Sequence, residues 1–270
     1  MNSKAHRFFF ENRVFRFQEF AKAMANPLPT CRIMLSQHLK TGNVVHIKRG
    51  LYASIPSGAD PEKYPVDPYV IISALANDAI IAYHSALQFH GVAYSLQFEH
   101  VFLSTQKIRY FTFRDDRFKV VKYSKSLPNS KHSIFVSAID HHGDIVNVTN
   151  IERTLVDVLD RINLSGGIEE VWRSLNSIQE VNVDNIITYA LLLNNATTIA
   201  KVGFYLRFRQ KDWNISEKNF EKLKKKLPQS THYLDRKNRV NGTYIKEWHI
   251  VVPNELIEQN WEEILDEGGI

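Results

Sequence analysis

The sequence predicts an α+β fold, because segments with helical periodicity lie on both sides of a run of short strand-like segments. Helical patterns fill most of the chain before residue 42 and most of it after residue 150. Between them, five short segments are rich in β-branched and aromatic residues, at 100–105, 108–113, 118–123, 134–139 and 145–148. The chain has 270 residues, of which 44% are hydrophobic, and a single cysteine. It can therefore bury a core, and it cannot form an internal disulfide framework.

The first 55 residues carry the order of elements that is typical of a winged helix-turn-helix. The predicted segments are three helices at 4–11, 17–24 and 30–41 and a β-hairpin at 44–54. Pro27 and Pro29 mark the turn before the third helix, and Gly42 follows its end. We therefore predict a winged helix-turn-helix DNA-binding domain over residues 1–55.

The third helix has two chemically different faces. Its apolar face, which can pack on the preceding helices, carries Cys31, Met34, Leu35, His38 and Leu39. The other face offers hydroxyl, amide and cationic groups suited to base edges and phosphates, and its predicted contact residues are Thr30, Arg32, Ser36, Gln37 and Lys40. On the hairpin, His46, Lys48 and Arg49 are predicted to reach the DNA backbone or the minor groove. The alternative is a small helical subdomain whose polar face is merely solvated.

Charge is distributed in blocks along the chain. Residues 1–52 contain nine Lys or Arg and two Asp or Glu, whereas residues 53–200 contain twelve bases and sixteen acids. Residues 201–246 contain thirteen bases and four acids, and the remainder has seven acids and no Lys or Arg. Because clustered cations attract phosphate backbones, the first block supports DNA binding. In the later block we identify a candidate second basic patch at Lys222, Lys224, Lys225 and Lys226.

The remaining chain is predicted to form one mixed α/β region after a linker. Four prolines and a glycine over residues 56–68 favour extended backbone, so the linker falls there and the region spans 69–270, divisible near 165–180. Its predicted helices are 69–77, 84–90, 151–162, 168–178, 183–193, 197–209 and 216–227. Asn150 is a candidate cap for the third of these helices, and Pro253 opens a final acidic helix. Residues 233–235 and 244–252 are predicted to be paired strands.

Motifs for several classes of chemistry are missing from the sequence. There is no phosphate-binding loop, dinucleotide fingerprint, His-Glu-x-x-His helix or paired-cysteine spacing. Asp140, His141, His142 and Asp144 could bind a divalent metal, but a turn between strands collects the same residue types, and we favour the turn. His84, Ser85 and His90 are interpreted as packing residues, and Glu152 and Arg153 as a helix-start glutamate and a structural arginine. We therefore predict no catalytic residue, no metal site and no cofactor. No secretory signal or membrane-spanning stretch is visible, so we expect a cytoplasmic protein.

Along most of its length the chain resembles the AbiEi-type antitoxins, which regulate type IV toxin–antitoxin and abortive-infection operons. The most specific landmarks are the Glu-Arg-Thr-Leu-Val-Asp segment at 152–157 and the Arg-Gly-Leu-Tyr sequence at 49–52. The others, in order along the chain, are residues 15–20, 82–87, 90–92, 166–167, 170–172, 201–206, Trp248 and 252–253. Lys201 stands where the family more often has arginine.

The resemblance implies an antitoxin-like region over residues 69–270 and two functions. One is autorepression, with the winged head binding inverted repeats of double-stranded DNA in its own promoter. The other is neutralisation of a co-encoded nucleotidyltransferase-like toxin, for which direct contact is not required, and the family is not enzymatic. Two alternatives stay open: a nuclease or transferase that the winged helix delivers to DNA, and a plain transcription regulator that senses a ligand.

Overall fold

A computed structural model describes residues 3–235 and 241–258 of the chain. The predicted α+β class is confirmed, since runs of strands and runs of helices follow one another along the chain and the strands form separate sheets. None of the helices described there has the length and the apolar composition that crossing a bilayer requires.

The chain forms two compact units, and each unit is assembled from three separate segments. The first unit consists of Met1–Ile81, Phe98–Lys122 and Ala138–Val148. The second consists of Ala82–Gln97, Tyr123–Ser137 and Thr149–Ile270. The predicted linker at 56–68 belongs to the first unit, and the predicted domain boundaries stay a prediction.

The first unit begins with three helices and a small antiparallel sheet. Its elements are α1 (Ser3–Glu11), β1 (Val14–Arg16), α2 (Phe17–Met24), α3 (Leu28–Lys40), β2 (Val44–Lys48) and β3 (Leu51–Ser54). The strand order is β1-β3-β2, with Phe15 opposite Tyr52. Four phenylalanines pack edge to face and stacked in the core, and Cys31 and Leu35 of α3 join them. The three predicted helices and the hairpin are confirmed, and strand β1 is an addition to the prediction.

The first unit continues into a six-stranded mixed sheet. Its elements are α4 (Pro68–Leu75), β4 (Ile80–Ile81), β5 (Glu99–Leu103), β6 (Phe111–Phe113), β7 (Asp116–Val121), β8 (Val136–His141) and β9 (Asp144–Thr149). The strand order is β6-β7-β5-β4-β9-β8, and β5 runs parallel to β7. All five predicted strands are present, and the two-residue strand β4 completes the sheet between β5 and β9.

The second unit is mainly helical. It contains α5 (His84–Phe89), α6 (Ile151–Asp160), α7 (Ile168–Asn176), α8 (Val183–Leu192), α9 (Ala196–Phe208), α10 (Glu217–Lys224), β10 (His232–Tyr233), β11 (Gly242–Ile245), β12 (Ile250–Pro253) and α11 (Asn254–Glu258). The Asn150 side chain accepts a hydrogen bond from the Arg153 amide, as its predicted capping role requires. Buried aromatic side chains form the centre of the core, with Trp172 edge-on to Tyr205 at 5.2 Å.

The prediction of one strand over residues 244–252 is wrong. A single helical turn at Lys246–Trp248 interrupts it, and His249 then takes the left-handed conformation with φ of 50°. This turn buries the indole of Trp248 completely. Strand β12 pairs parallel with β10 and antiparallel with β11. The predicted final acidic helix is observed as α11, and its part beyond residue 258 lies outside the described residues.

Candidate nucleic-acid interface

Helix α3 has one face in the core and one in solvent because of how its apolar residues are spaced. Pro29 in the first turn lacks an amide hydrogen that the helix would leave unpaired there anyway. Cys31 and Leu35 are buried, while His38 is partly buried and lies edge-on to the ring of Phe9 at 4.8 Å. Gly42 follows the helix with φ of +74°, a conformation that glycine adopts without strain. These contacts fix the rotation of α3 about its axis.

The five residues predicted to contact DNA from α3 are all exposed. These residues are Thr30, Arg32, Ser36, Gln37 and Lys40. Two apolar side chains share the solvent side of the helix, since Leu28 is 54% and Ile33 is 62% exposed. An apolar side chain can contact the methyl group of thymine in a major groove. The contact residues were predicted from their polar side chains, so Leu28 and Ile33 were not among them. Ile33 nevertheless falls on the predicted contact face.

The hairpin places its predicted contact residues in different surroundings. His46 and Arg49 are exposed. Gly50 has φ of +81° at the tip, and its carbonyl accepts a hydrogen bond from the Phe17 amide at 3.0 Å, which ties the tip to α2. The Lys48 ammonium instead lies 4.3 Å from the centre of the Phe111 ring on β6. Partial burial lowers the pKa of Lys48.

Several arginines of the first basic block have structural partners. The Arg13 Nε atom lies 2.5 Å from Asp144 Oδ2, and its Nη2 donates to the His141 carbonyl. Arg16 Nε donates to the Ala74 carbonyl at 2.8 Å, and Arg7 pairs with Glu11. Four exposed bases of this block form neither hydrogen bonds nor ion pairs with the residues that the structure describes, namely Lys22, Arg32, Lys40 and Arg49. Three of these four are predicted contact residues.

The candidate second basic patch is largely neutralised by carboxylates. Lys222 pairs with Asp184 at 3.0 Å, and Lys224 lies 3.1 Å from Glu221 and 3.2 Å from Glu247. Lys225 and Lys226 are exposed at the end of α10. Among residues 3–235 and 241–258, two lysines of the patch therefore lack a carboxylate partner, instead of the four that the sequence suggests.

The same acidic groups also neutralise an arginine of α9. Arg207 binds both Glu217 and Glu247. Hydrogen bonds from Arg207 hold the pKa of Glu217 at about 2.

The polar residues of the Asp-His-His-Gly-Asp segment at 140–144 bind different partners. The Asp140 side chain accepts from the Gly143 amide at 2.7 Å and closes the turn between β8 and β9. His141 Nε2 lies 2.7 Å from Asp67, and Asp144 pairs with Arg13. The turn interpretation is supported by this geometry, and no three His, Cys, Asp or Glu residues of the described part of the chain form a metal-binding group.

The landmarks at His84 and Glu170 meet inside the second unit. Nε2 of His84 lies 2.9 Å from Glu170 Oε1, and Nδ1 lies 2.8 Å from Gln88 Oε1. The Ser95 hydroxyl donates to Glu170 Oε2 at 2.6 Å. Burial raises the pKa of Glu170, but the hydrogen bonds from Ser95 and His84 outweigh it, so its pKa lies below the ordinary value. His90 Nε2 bonds to the Thr149 carbonyl, so both histidines are packed and hydrogen-bonded, as expected.

Arg153 has the structural role that the sequence indicates. Its Nη1 donates to the carbonyls of His132 and Ile134, each at 2.7 Å, and its Nε lies 3.3 Å from Asp157. The Tyr189 hydroxyl donates to the other oxygen of Asp157 at 2.8 Å. Arg153 is only 1% exposed, so this network stabilises the interior of the second unit and does not form a surface site.

Comparison with known proteins shows a likeness to a solved structure. No protein-family model matches the sequence, and no curated protein matches it. Among solved structures, the chain is similar to the crystal structure of the Rv2827c protein from Mycobacterium tuberculosis, with a TM-score of 0.65 and 13% identity. The alignment covers 95% of this chain and 93% of that chain. The two proteins share a fold over nearly their whole lengths.

Proposed function

We propose that residues 1–55 form a winged helix-turn-helix that binds double-stranded DNA, and that the protein is an autorepressor and antitoxin of the AbiEi type. Helix α3 is the recognition helix in this proposal, and the β2–β3 hairpin is the wing. The bound DNA is an inverted repeat in the protein's own promoter. The protein acts in the cytoplasm as a binding protein without a catalytic residue.

The observation that carries the DNA-binding proposal is the exposed face of α3. It presents hydroxyl, amide and cationic groups together, and the unpaired Arg49 stands on the adjoining hairpin. Cations that already have a carboxylate partner would have to give it up to bind phosphate. Exposed cations without a carboxylate partner among the described residues, such as Lys40 and Arg49, exchange only water and counterions, so they suit DNA best. Arg32 also has no carboxylate partner there, and its guanidinium lies 5.8 Å from the centre of the Phe17 ring.

The salt dependence of DNA binding tests this proposal. The promoter fragment is titrated with wild-type protein and with a Lys40→Ala, Arg49→Ala double variant at several salt concentrations. Each lost phosphate contact removes about 0.9 from the slope of log affinity against log salt. We expect weaker binding and a slope shallower by about one to two for the double variant.

A matched control is offered by α10. The Lys225→Ala, Lys226→Ala double variant also loses two positive charges, here from exposed lysines of the second basic block. We expect it to bind the promoter with nearly the wild-type affinity and slope. If both double variants lost the same amount of promoter affinity, only the net charge of the protein would matter for binding. That result would contradict the assignment of α3 as the recognition helix.

The antitoxin part of the proposal rests on the landmarks shared with the AbiEi-type family. It is tested by expressing the adjacent gene with and without this protein. We expect a nucleotidyltransferase-like product that arrests growth alone and is harmless when this protein is present. Failure to restore growth would leave a plain transcription regulator, and metal-dependent cleavage of DNA or RNA by the pure protein would contradict the non-enzymatic assignment.

A further inference from the structure

A pocket of about 480 Å³ lies within the first unit beside α1. Its apolar lining includes Phe9 and Phe10 of α1 together with Ile55, Pro65 and Val70. We call this cavity the α1 pocket. Its volume lies within the range of about 300–1,000 Å³ that is usual for small-molecule sites.

The charged groups of the α1 pocket already have partners. Arg13 is held by Asp144 and by the His141 carbonyl. Asp67 accepts from the Tyr69 amide at the start of α4, and its other oxygen lies 2.7 Å from His141 Nε2. A charged ligand would have to break one of these ion pairs or stay unpaired, and both are costly. The pocket therefore favours an uncharged ligand.

Three polar groups of the pocket are available to a ligand. The hydroxyls of Ser57 and Tyr64 and the ring nitrogens of His6 have no hydrogen-bond partner among residues 3–235 and 241–258. Phe10 also lines the pocket and is 90% exposed, so its ring is accessible to a ligand from solvent. Aromatic rings prefer to stack or meet edge to face, so Phe9, Phe10 and Tyr64 favour a flat aromatic ligand.

We propose that the α1 pocket binds a small, uncharged aromatic molecule with one or two hydrogen-bonding groups. The ligand lies against Phe9 and Phe10, and the Ser57 and Tyr64 hydroxyls bind its polar edge. A charged effector is disfavoured by this lining, because Arg13 and Asp67 already have partners.

The same pocket residues contact the end of α3. Phe9 lies edge-on to His38, as described above, and the His6 ring lies 5.7 Å from the same imidazole. The Asn43 amide donates to Thr41 Oγ1 at 2.9 Å and to His38 Nδ1 at 3.4 Å. A ligand that moves Phe9 or Asn43 therefore shifts His38, which adjoins the predicted contact residue Gln37. If the two sites are coupled in this way, the ligand changes the affinity for DNA and DNA changes the affinity for the ligand by the same factor. This coupling rests on the proposed function, whereas the proposed binding of a ligand in the α1 pocket does not.

Ligand-observed NMR with indole, 2-naphthol and 4-phenylphenol tests the pocket directly. We expect at least one of these probes to bind the full-length protein saturably. Ser57 is exposed and lines the pocket, so we expect a Ser57→Trp variant to keep the fold and its indole to occupy space in the pocket. Binding should weaken at least tenfold in that variant and should also weaken in Phe10→Ala. Lys63→Trp, at an exposed position outside the lining, is the matched control and should bind as the wild type does.

Three results would overturn the pocket assignment. These are no saturable binding of any of the three probes, equal binding by Ser57→Trp and wild type, and a concentration-dependent dimer that Phe10→Ala dissociates. The last result would make this surface an interface between copies of the chain.

The coupling has its own experiment. Promoter affinity should change at least threefold when the best probe saturates the wild type, and should not change for Ser57→Trp. An unchanged wild-type affinity overturns the coupling alone. A protein that binds the probe but no DNA overturns the proposed function and leaves the pocket supported.

Discussion

Lys48 and Arg49 are neighbours in the hairpin, yet their side chains meet different surroundings. Arg49 is exposed at the tip, whereas the Lys48 ammonium lies over Phe111 and is partly withdrawn from water. A partly desolvated cation over an aromatic ring contributes about 1 kcal/mol. Lys48 is therefore more a packing residue of the first unit than a phosphate ligand, although the sequence assigned the same role to both.

The first prediction separates these two roles. Lys48→Ala should lower the free energy of unfolding by about 1 kcal/mol, because the cation–π contact and the packing of the lysine stem are both lost. It should leave the salt slope of DNA binding almost unchanged. Urea denaturation followed by circular dichroism measures the first effect. Lys48→Met, which keeps most of the stem, is the control, and a slope change as large as that of Arg49→Ala would disprove the assignment.

Ile33 supports a second prediction at the same scale. An exposed isoleucine amid polar residues on α3 is suited to the methyl group of a thymine. Replacing every thymine of the promoter fragment by uracil removes only those methyl groups. For the wild-type protein, the uracil fragment should bind more weakly than the thymine fragment by about 1 kcal/mol of binding free energy. The Ile33→Ala variant should bind the two fragments equally.

Titration of both fragments with both proteins completes a double-mutant cycle for Ile33. Leu28→Ala, at the other exposed apolar position, is the matched variant. If the wild type and Ile33→Ala lost the same binding free energy on replacement of thymine by uracil, the methyl contact would belong to another residue.

At the scale of helices and strands, local patterns predicted most elements. The alternation over 44–54 and the helical spacing over 17–24 depend on neighbouring residues, and both elements are observed there. Strands β1 and β4 have three and two residues, too few to show a period. They exist because partners distant in sequence, such as β3 for β1, supply their hydrogen bonds.

The third prediction concerns helix α9 and the turn that breaks the predicted strand at 244–252. A Cβ atom added to Gly203 would overlap the buried indole of Trp248. Alanine is the better helix former by up to about 1 kcal/mol, but overpacking a core costs about 1–3 kcal/mol or more. We expect Gly203→Ala to destabilise the second unit by about 2 kcal/mol.

Tryptophan fluorescence follows this unit, because the three tryptophans of the described residues, Trp172, Trp213 and Trp248, all fall within its segments. Trp248→Phe removes part of the overlapping ring, so the double variant should lose less stability than the two single losses combined. Strictly additive losses would show that Gly203 does not meet the indole.

At the scale of the whole molecule, counting charged residues along the sequence overestimated how many lysines of the second basic patch lack a carboxylate partner. Lys222 and Lys224 are distant in sequence from Asp184 and Glu247, and only the folded chain brings these charges together. The exposed face of α3 could be predicted because helical spacing fixes it. The pairing of cations with distant carboxylates could not.

The fourth prediction concerns acid stability of the whole molecule. Folding holds the pKa of Glu170 below its ordinary value of 4.5. A depressed pKa stabilises the fold above that ordinary value, and this stabilisation is lost as the pH falls through the folded-state pKa. Asp78, Glu217 and Glu247 also have lowered pKa values and act in the same direction. The stability that these four carboxylates contribute should therefore be lost as the pH falls below about 4.5, whereas Asp157, whose pKa is raised by burial, acts in the opposite direction.

The Glu170→Gln variant tests how much of the acid-dependent stability comes from this one carboxylate. It should cost about 2 kcal/mol at pH 7, because hydrogen bonds to a charged group are lost, and should flatten the decline below pH 4.5. The exposed neighbour Glu169, changed to Gln, is the control. Urea denaturation across pH 3–7 measures both, and an unchanged decline in Glu170→Gln would place the acid sensitivity at other carboxylates.

The alternation of three segments from each unit along one chain has an evolutionary consequence. Arg13 and Lys48 contact Asp144 and Phe111, which lie in the two later segments of the first unit, and Arg16 contacts Ala74 beyond residue 55 in the first segment. A single recombination event that imported a foreign N-terminal segment would sever all three attachments. Lineages with this architecture are expected to diversify by point substitution on the solvent side of α3 and not by exchange of gene segments.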